Sequence, residues 1–257
     1  MKDTFLDTMR RIVRWLPRSK MLQFIAQQYT FHYYNLYDAN FERNGELRWL
    51  REALINASEP VVFDVGANTG EWTNAVLQVN PTSQIHAFEP MPEVYQVLAK
   101  RFADDHRVTA TMKGLGSTPT EVVMHIFNNA SEHNSIHGRP DRLADRTSKV
   151  QLTTLDDYCL EHHIEHVHFL KVDTEGHEVA VLQGGVQLLK RQAIDVIQFE
   201  YASNYILARS YLKDIFELLT PFGYRIYRIM PHKLQPVPNY HEHFENFMYC
   251  NYVAIKS

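Results

Sequence analysis

Asp64-Val65-Gly66-Ala67-Asn68-Thr69-Gly70 closes a short apolar run that begins at Pro60. A buried strand that enters a glycine turn and then a helix face of Trp72, Ala75, Val76 and Val79 is the opening of a β-α-β unit. Gly66 permits a tight strand-to-helix turn, and Gly70 lets the next helix pack closely or its amides approach a ligand. Asn68 occupies the place of the middle glycine of G-x-G-x-x-G, the residue that lets the backbone approach a pyrophosphate. Its absence weakens a dinucleotide reading.

Outward from this stretch the same alternation repeats. Gln84–Phe88 reads as a strand, Val94, Val97, Leu98 and Phe102 as a helix face, and Val108–Met112 as a third strand. Glu121–Phe127 and Lys149–Thr153 read as strands around a polar stretch, 128–148, long enough for a substrate-facing or lid role. Val167–Val172 and Ile194–Phe199 are further strands with helix faces after each. Tyr224–Ile229 and Met248–Ile255 are separated only by a long loop, which calls for antiparallel pairing. The expected fold class is α/β, a mostly parallel sheet with helices on both faces and a C-terminal antiparallel hairpin. Upstream, Phe5, Met9, Ile12, Val13 and Leu16 share one face of a helix over 5–16, with Arg10, Arg11 and Arg14 on the other side. Such a basic amphipathic helix can lie on an acidic membrane surface, but packing on the domain or on a second copy is the favoured reading.

Composition narrows the function classes. In 257 residues, 45% apolar side chains are too many for a disordered chain. A net charge of −4 argues against nucleic acid as the main partner. Cys159 and Cys250 make neither a disulfide framework nor a zinc cluster, so a reducing, cytoplasmic setting is expected. No apolar run reaches the roughly 18 residues that span a bilayer.

In an open parallel sheet the ligand lies beyond the carboxyl ends of the strands, so strand ends are where functional residues belong. The second strand ends in Phe88-Glu89-Pro90. Glu89 stands nineteen residues after Gly70, the offset at which a carboxylate accepts hydrogen bonds from ribose hydroxyls. A later strand ends in Lys171-Val172-Asp173-Thr174-Glu175-Gly176-His177-Glu178, four titratable side chains crowded after Val172. The next ends in Glu200-Tyr201, which sets a carboxylate beside Asp173 if the two strands are neighbours. A buried carboxylate pair pushes one pKa upward and makes a general base available. The run His162-His163-x-x-His166-x-His168 straddles a helix end and a buried strand, so its side chains are not expected to converge on a metal. A divalent cation on Asp173 and Glu200 is a lesser alternative, and no metal site is assigned.

Together, D-V-G-A-N-T-G (64–70), F-E-P (88–90), T-T-L-D-D-Y (153–158) and L-K-V-D-T-E-G-H-E (170–178) resemble the FkbM-type S-adenosylmethionine-dependent methyltransferases. Asn44-Gly45-Glu46 and L-Q-G-G (182–185) fit as well. The resemblance covers roughly residues 44–255. It implies a Rossmann-like sheet of seven strands; the domain is expected over residues 58–257, after a helical extension over 1–57. It also implies S-adenosyl-L-methionine as cofactor. Asp64, Gly66, Ala67, Asn68 and Gly70 would surround its methionine part, Glu89 with Pro90 its ribose, and Gly114-Leu115-Gly116 would lie near its adenine. Thr69 and Thr174 depart from the family's usual aliphatic residues, and 128–148 is poorly matched.

Methyl transfer to an alcohol needs acceptor, methyl and sulfur in line and a base near the hydroxyl. Asp173, Glu175, His177 and Glu200 are the candidate catalytic residues, and the expected acceptor is a small molecule or glycan bearing a hydroxyl. A homo-oligomer is compatible with the sequence. Two other classes compete: a nicotinamide-dependent oxidoreductase, disfavoured by Asn68 and the C-terminal hairpin, and a cofactor-free interaction domain, which leaves the carboxylates at 173, 175 and 200 unexplained.

Overall fold

A computed structural model describes residues 2–16, 18–127, 135–138 and 143–257, with side chains from residue 5 onward. Most of the expected loop 128–148 lies outside the described residues. The chain forms two compact units, residues 1–36 and 37–257. The sequence expectation places the boundary after residue 57. The first unit holds helices α1 (Lys2–Trp15) and α2 (Lys20–Tyr33).

In the larger unit, helix α3 (Glu46–Leu54) leads to β1 (Val61–Val65), α4 (Glu71–Val79), β2 (Gln84–Phe88), α5 (Pro92–Arg101) and β3 (Val108–Thr111). Three shorter or paired strands follow: β4 (Gly114–Leu115), β5 (Thr120–Ile126) and β6 (Arg146–Thr153). Helix α6 (Leu155–Glu161) then precedes β7 (Val167–Val172), α7 (Glu178–Gln183), α8 (Val186–Lys190) and β8 (Ile194–Tyr201). The chain ends with α9 (Asn204–Ala208), α10 (Leu212–Leu219), β9 (Tyr224–Met230), β10 (Lys233–Pro236) and β11 (Cys250–Lys256).

The main sheet has the order β10-β9-β11-β8-β7-β1-β2-β3. Strands β3, β2, β1, β7 and β8 run parallel, and β11 inserts antiparallel between β8 and β9. The expected antiparallel C-terminal pair is therefore present. The sheet has eight strands where seven were expected. Lys233–Pro236, read as loop, adds an edge strand by pairing antiparallel with β9. The middle strands stay out of the main sheet and form a second one, β4-β6-β5.

Alternation along the strands builds both faces of the sheet. Val62, Ile85, Ala87, Phe169 and Val196 pack under Leu50 and Leu54 of α3, Trp72 and Val76 of α4, and Leu98 of α5. On the opposite face Tyr158 of α6 packs edge-on against Phe63 and Phe88. Helix α3, assigned to the N-terminal extension from sequence, thus belongs to the core of the α/β unit. The chain proceeds outward from β1 to β3, then returns to lay β7 on the other side of β1. That reversal opens a crevice at the carboxyl ends of β1 and β7.

Candidate active site

A cavity of about 870 Å³ occupies this crevice, within the range of small-molecule sites. Its wall includes the turn after β1 (Gly66, Ala67, Asn68), the end of β2 (Glu89, Pro90), Gly114 and Leu115 of β4, and the ends of β7 and β8 (Asp173, Glu175, His177, Glu200). Fourteen residues were singled out from sequence, and eleven of them meet on this wall. Asp64, Gly70 and Gly116 do not.

Asp64 lies behind the turn and is fully buried. One carboxylate oxygen accepts a 2.7 Å hydrogen bond from Thr73 Oγ1, and the other faces Lys171 Nζ at 3.7 Å. Gly70 has φ +82°, and a β-carbon there would strike Phe102 and Leu98, so it serves the packing of α4 on α5. Gly66, at φ +84°, leaves no room for a β-carbon against the carbonyl oxygen of Asp173. The turns after β1 and β7 are thereby held backbone to backbone.

Asn68 takes up a left-handed φ of +49°, which asparagine tolerates better than most residues. The turn thus keeps a conformation that glycine would otherwise supply. Its N–H donates to Glu89 Oε2 at 3.1 Å, while Glu89 Oε1 accepts from the Met91 N–H at 2.9 Å. Glu89 is 7% exposed, and burial pushes its carboxyl up to about 7 despite those two amides.

On the other side of the cavity, Lys171 Nζ donates to Asp173 Oδ2 at 3.0 Å and lies 5.6 Å from the centre of the Trp72 ring. The expected adjacency of Asp173 and Glu200 follows from parallel pairing of β7 with β8. Burial raises the Glu200 carboxyl well above the usual carboxylate range, and the charges of Asp173, Glu175 and Glu178 push it the same way. Glu175 has a left-handed φ of +56°, and its Oε2 accepts from Asn204 Nδ2 at 3.1 Å. Ser135 Oγ donates to the Glu175 carbonyl at 3.0 Å, which ties the short described piece of the 128–148 segment to this turn. Burial lowers the His177 imidazole to about 4, so it is neutral at physiological pH, and its buried Nε2 has no hydrogen-bond partner among the described residues.

Several wall residues were not singled out as site residues. Lys171, Trp72, Met91, Met124, Leu152, Asn204 and Tyr249 contribute side chains. So does Glu46, from the first turn of α3. Its buried carboxylate accepts from Asn44 Nδ2 and Gln198 Nε2, both at 2.6 Å, and from Asn251 Nδ2 at 2.9 Å. Lys171 and Glu46 were legible as parts of quoted motifs. Trp72 and Leu152 read simply as core.

The histidine run behaves differently from expectation. His166 and His168 do converge, with Asp195, on ligand atoms within 4.8 Å of one another. Parallel pairing of β7 and β8 brings them together at the amino ends of these strands, away from the cavity. The chemistry there is already satisfied without an ion. His168 Nδ1 accepts the Val61 N–H, which leaves the proton on Nε2, and Asp195 pairs with both His166 and Lys256. Among the described residues no such group of three includes Asp173 or Glu200.

Comparison with known proteins supplies the family. Residues 64–226 match the model of the methyltransferase FkbM domain. The 2-O-methyltransferase NoeI of Sinorhizobium fredii is 24% identical over 184 residues, 66% of this chain and 75% of that protein. Methyltransferase sdnD of Sordaria araneosa is 28% identical over 157 residues, 49% of this chain and 61% of that protein. Among solved structures, a TehB-like SAM-dependent methyltransferase from Corynebacterium glutamicum aligns with a TM-score of 0.43 at 11% identity, over 91% of this chain and 97% of that one. Aeropyrum pernix fibrillarin with natively bound S-adenosyl-L-methionine gives 0.44 at 10% identity, over 82% and 73%. With more than half its length in that match, the chain belongs to the FkbM family of S-adenosylmethionine-dependent methyltransferases.

Proposed function

We propose that this enzyme methylates a hydroxyl group of a small acceptor, of the sugar or hydroxylated natural-product kind. The reading is supported by the chemistry of the cavity wall and by the similarity to NoeI, a 2-O-methyltransferase. S-adenosylmethionine supplies an electrophilic methyl group on a sulfonium centre. The wall fits that cofactor on one side: Gly66 and Gly114 add no side chain, and Glu89 keeps acceptor lone pairs beyond the two backbone amides it already engages. Gly66, Ala67, Asn68, Glu89, Pro90, Gly114 and Leu115 would hold it, with Asp64 and Gly70 shaping the turn from behind.

The observation that carries the acceptor chemistry is the Asp173 carboxylate, held at the cavity by Lys171 at 3.0 Å with its side chain still 35% exposed. A carboxylate so placed accepts the hydroxyl hydrogen bond, orients the oxygen lone pair and takes the proton as the C–O bond forms. Burial and the neighbouring carboxylates favour the protonated form of Glu200, which can donate a hydrogen bond to the acceptor, and Glu175 completes the polar rim. Neutral His177 offers a second acceptor for a hydroxyl.

Incubation with methyl-labelled cofactor and a panel of glycosides, polyols and aliphatic amines, followed by mass spectrometry, tests the assignment. A new methyl ether on a hydroxyl is expected. Methylation confined to nitrogen would overturn the oxygen assignment, and stabilisation by NAD in place of S-adenosylhomocysteine would overturn the cofactor site.

A further inference from the structure

The smaller unit, residues 1–36, has a feature that methyl transfer does not use. From Phe5 to Asn35 none of its described side chains is buried. At about 100° per residue, Phe5, Leu6, Met9, Ile12 and Val13 of α1 fall on a single arc, while Arg10, Arg11 and Arg14 take the opposite one. Those five apolar side chains are between 43% and 67% exposed, and Trp15, at the edge of the arc, is 89% exposed. The first twenty residues carry a net charge of +4 in a chain whose total is −4.

We propose that α1 lies in the surface of an anionic lipid bilayer, with its apolar arc among the acyl chains and its arginines at the phosphate level. An apolar arc, an arginine-rich opposite face and a bordering tryptophan suit a boundary between hydrocarbon and charged headgroups. Burial of the arc against a second copy would leave the arginine-rich face unused. An anionic surface engages both faces, the arc through its acyl chains and the arginines through its headgroup charge. Among the described residues no helix is long and apolar enough to cross a membrane, so the contact is of the surface-lying kind.

Co-sedimentation of the full chain with phosphatidylcholine vesicles, with and without phosphatidylglycerol, reads this directly. Binding is expected to the phosphatidylglycerol vesicles and to weaken as salt is raised. The double substitution Ile12→Glu and Val13→Glu should cut it at least about tenfold, and Arg10→Glu with Arg14→Glu should abolish the preference for anionic lipid. All four positions are exposed, so the melting transition of the α/β unit serves as the folding control. A chain that stays in the supernatant, or that binds equally well after the Ile12 and Val13 substitutions, overturns the proposal. A stable dimer in light scattering that those substitutions dissociate, without vesicle binding, would instead assign the arc to a second copy. None of these readouts depends on methyl transfer.

Discussion

Asp64 and Lys171 are Cα partners in the parallel ladder between β1 and β7, and the Lys171 ammonium stands 3.7 Å from Asp64 Oδ1. The next strand continues the row with Gln198, the partner of Lys171, whose amide donates to Glu46. On this face of the sheet the apolar residues Val62, Phe169 and Val196 occupy the core beneath, and the polar row begins one pleat nearer the carboxyl ends. Core and site are therefore built by the same strands on the same face. Lys171 compensates a fully buried carboxylate on one side and holds Asp173 on the other.

Lys171→Met should consequently destabilise the fold by about 3–5 kcal/mol, the usual cost of leaving a buried charge without its partner. Adding Asp64→Asn should recover part of that loss, because the uncompensated carboxylate is then gone. Urea denaturation of the two single variants and the double variant measures the coupling. Strict additivity would mean that the pair is not energetically linked.

Asp173→Asn should lower turnover far more than affinity for S-adenosylhomocysteine, about 100-fold or more for loss of a general base. Calorimetry and initial rates separate the two effects. A variant with normal turnover and weakened cofactor binding would move Asp173 to the cofactor side of the cavity.

Glu89 ties ligand binding to pH. Burial raises its carboxyl to about 7, so its charge is lost as the pH falls through neutrality. The ionised form is the acceptor that ribose hydroxyls require, so S-adenosylhomocysteine should bind more weakly at pH 6 than at pH 8. Glu89→Gln should flatten that dependence, and Glu89→Ala should cost about 1.5–3 kcal/mol of affinity at pH 8. Titration calorimetry across this range is the measurement, and a slope that survives in the Gln variant would exclude Glu89 as its source.

Glu46→Gln is nearly isosteric, yet it should cost about 1–3 kcal/mol. Both carboxylate oxygens receive amide donors, from Asn44 and Asn251 on one and from Gln198 on the other. A glutamine would have to turn its own NH2 toward one of them. Thermal denaturation reads the loss, and substitution of Gln198 by Glu in the same background should restore part of it by reversing the polarity of that contact.

Gly66→Ala should lose about 3 kcal/mol of stability, from a left-handed φ combined with overlap of the Asp173 carbonyl. Cofactor binding should fall with it, since the turn can admit the methyl group only by separating from the turn after β7. Denaturation and S-adenosylhomocysteine binding on the same sample test both consequences.

The candidate site was legible where residues sit next to a strand end. Glu89, Asp173, Glu175, His177 and Glu200 each lie at or just past the carboxyl end of a strand whose apolar run is visible, and carboxyl-end placement is a property of the parallel sheet as a whole. Asp64 and Gly70 belong to the same motif, but the pleat turns Asp64 inward and the helix entrance turns Gly70 toward Phe102. His166 and His168 were expected apart because a turn and a strand seldom point one way. Alternation along β7 and the neighbouring Asp195 of β8 bring them together. Lys233–Pro236 carries too little apolar pattern to read as a strand and gains its place by pairing on β9.

Local pattern in the sequence determined the α/β class, the parallel order of the first strands, the antiparallel C-terminal pair and the family, because strand periodicity and contiguous motifs are carried by neighbouring residues. Tertiary structure alone decided which other polar groups meet: Asp64 with Lys171, and Glu46 with Gln198 and Asn251. Those meetings are set by register between strands more than a hundred residues apart and by the docking of α3 on the sheet. A shift of one residue would turn each of these side chains to the other face.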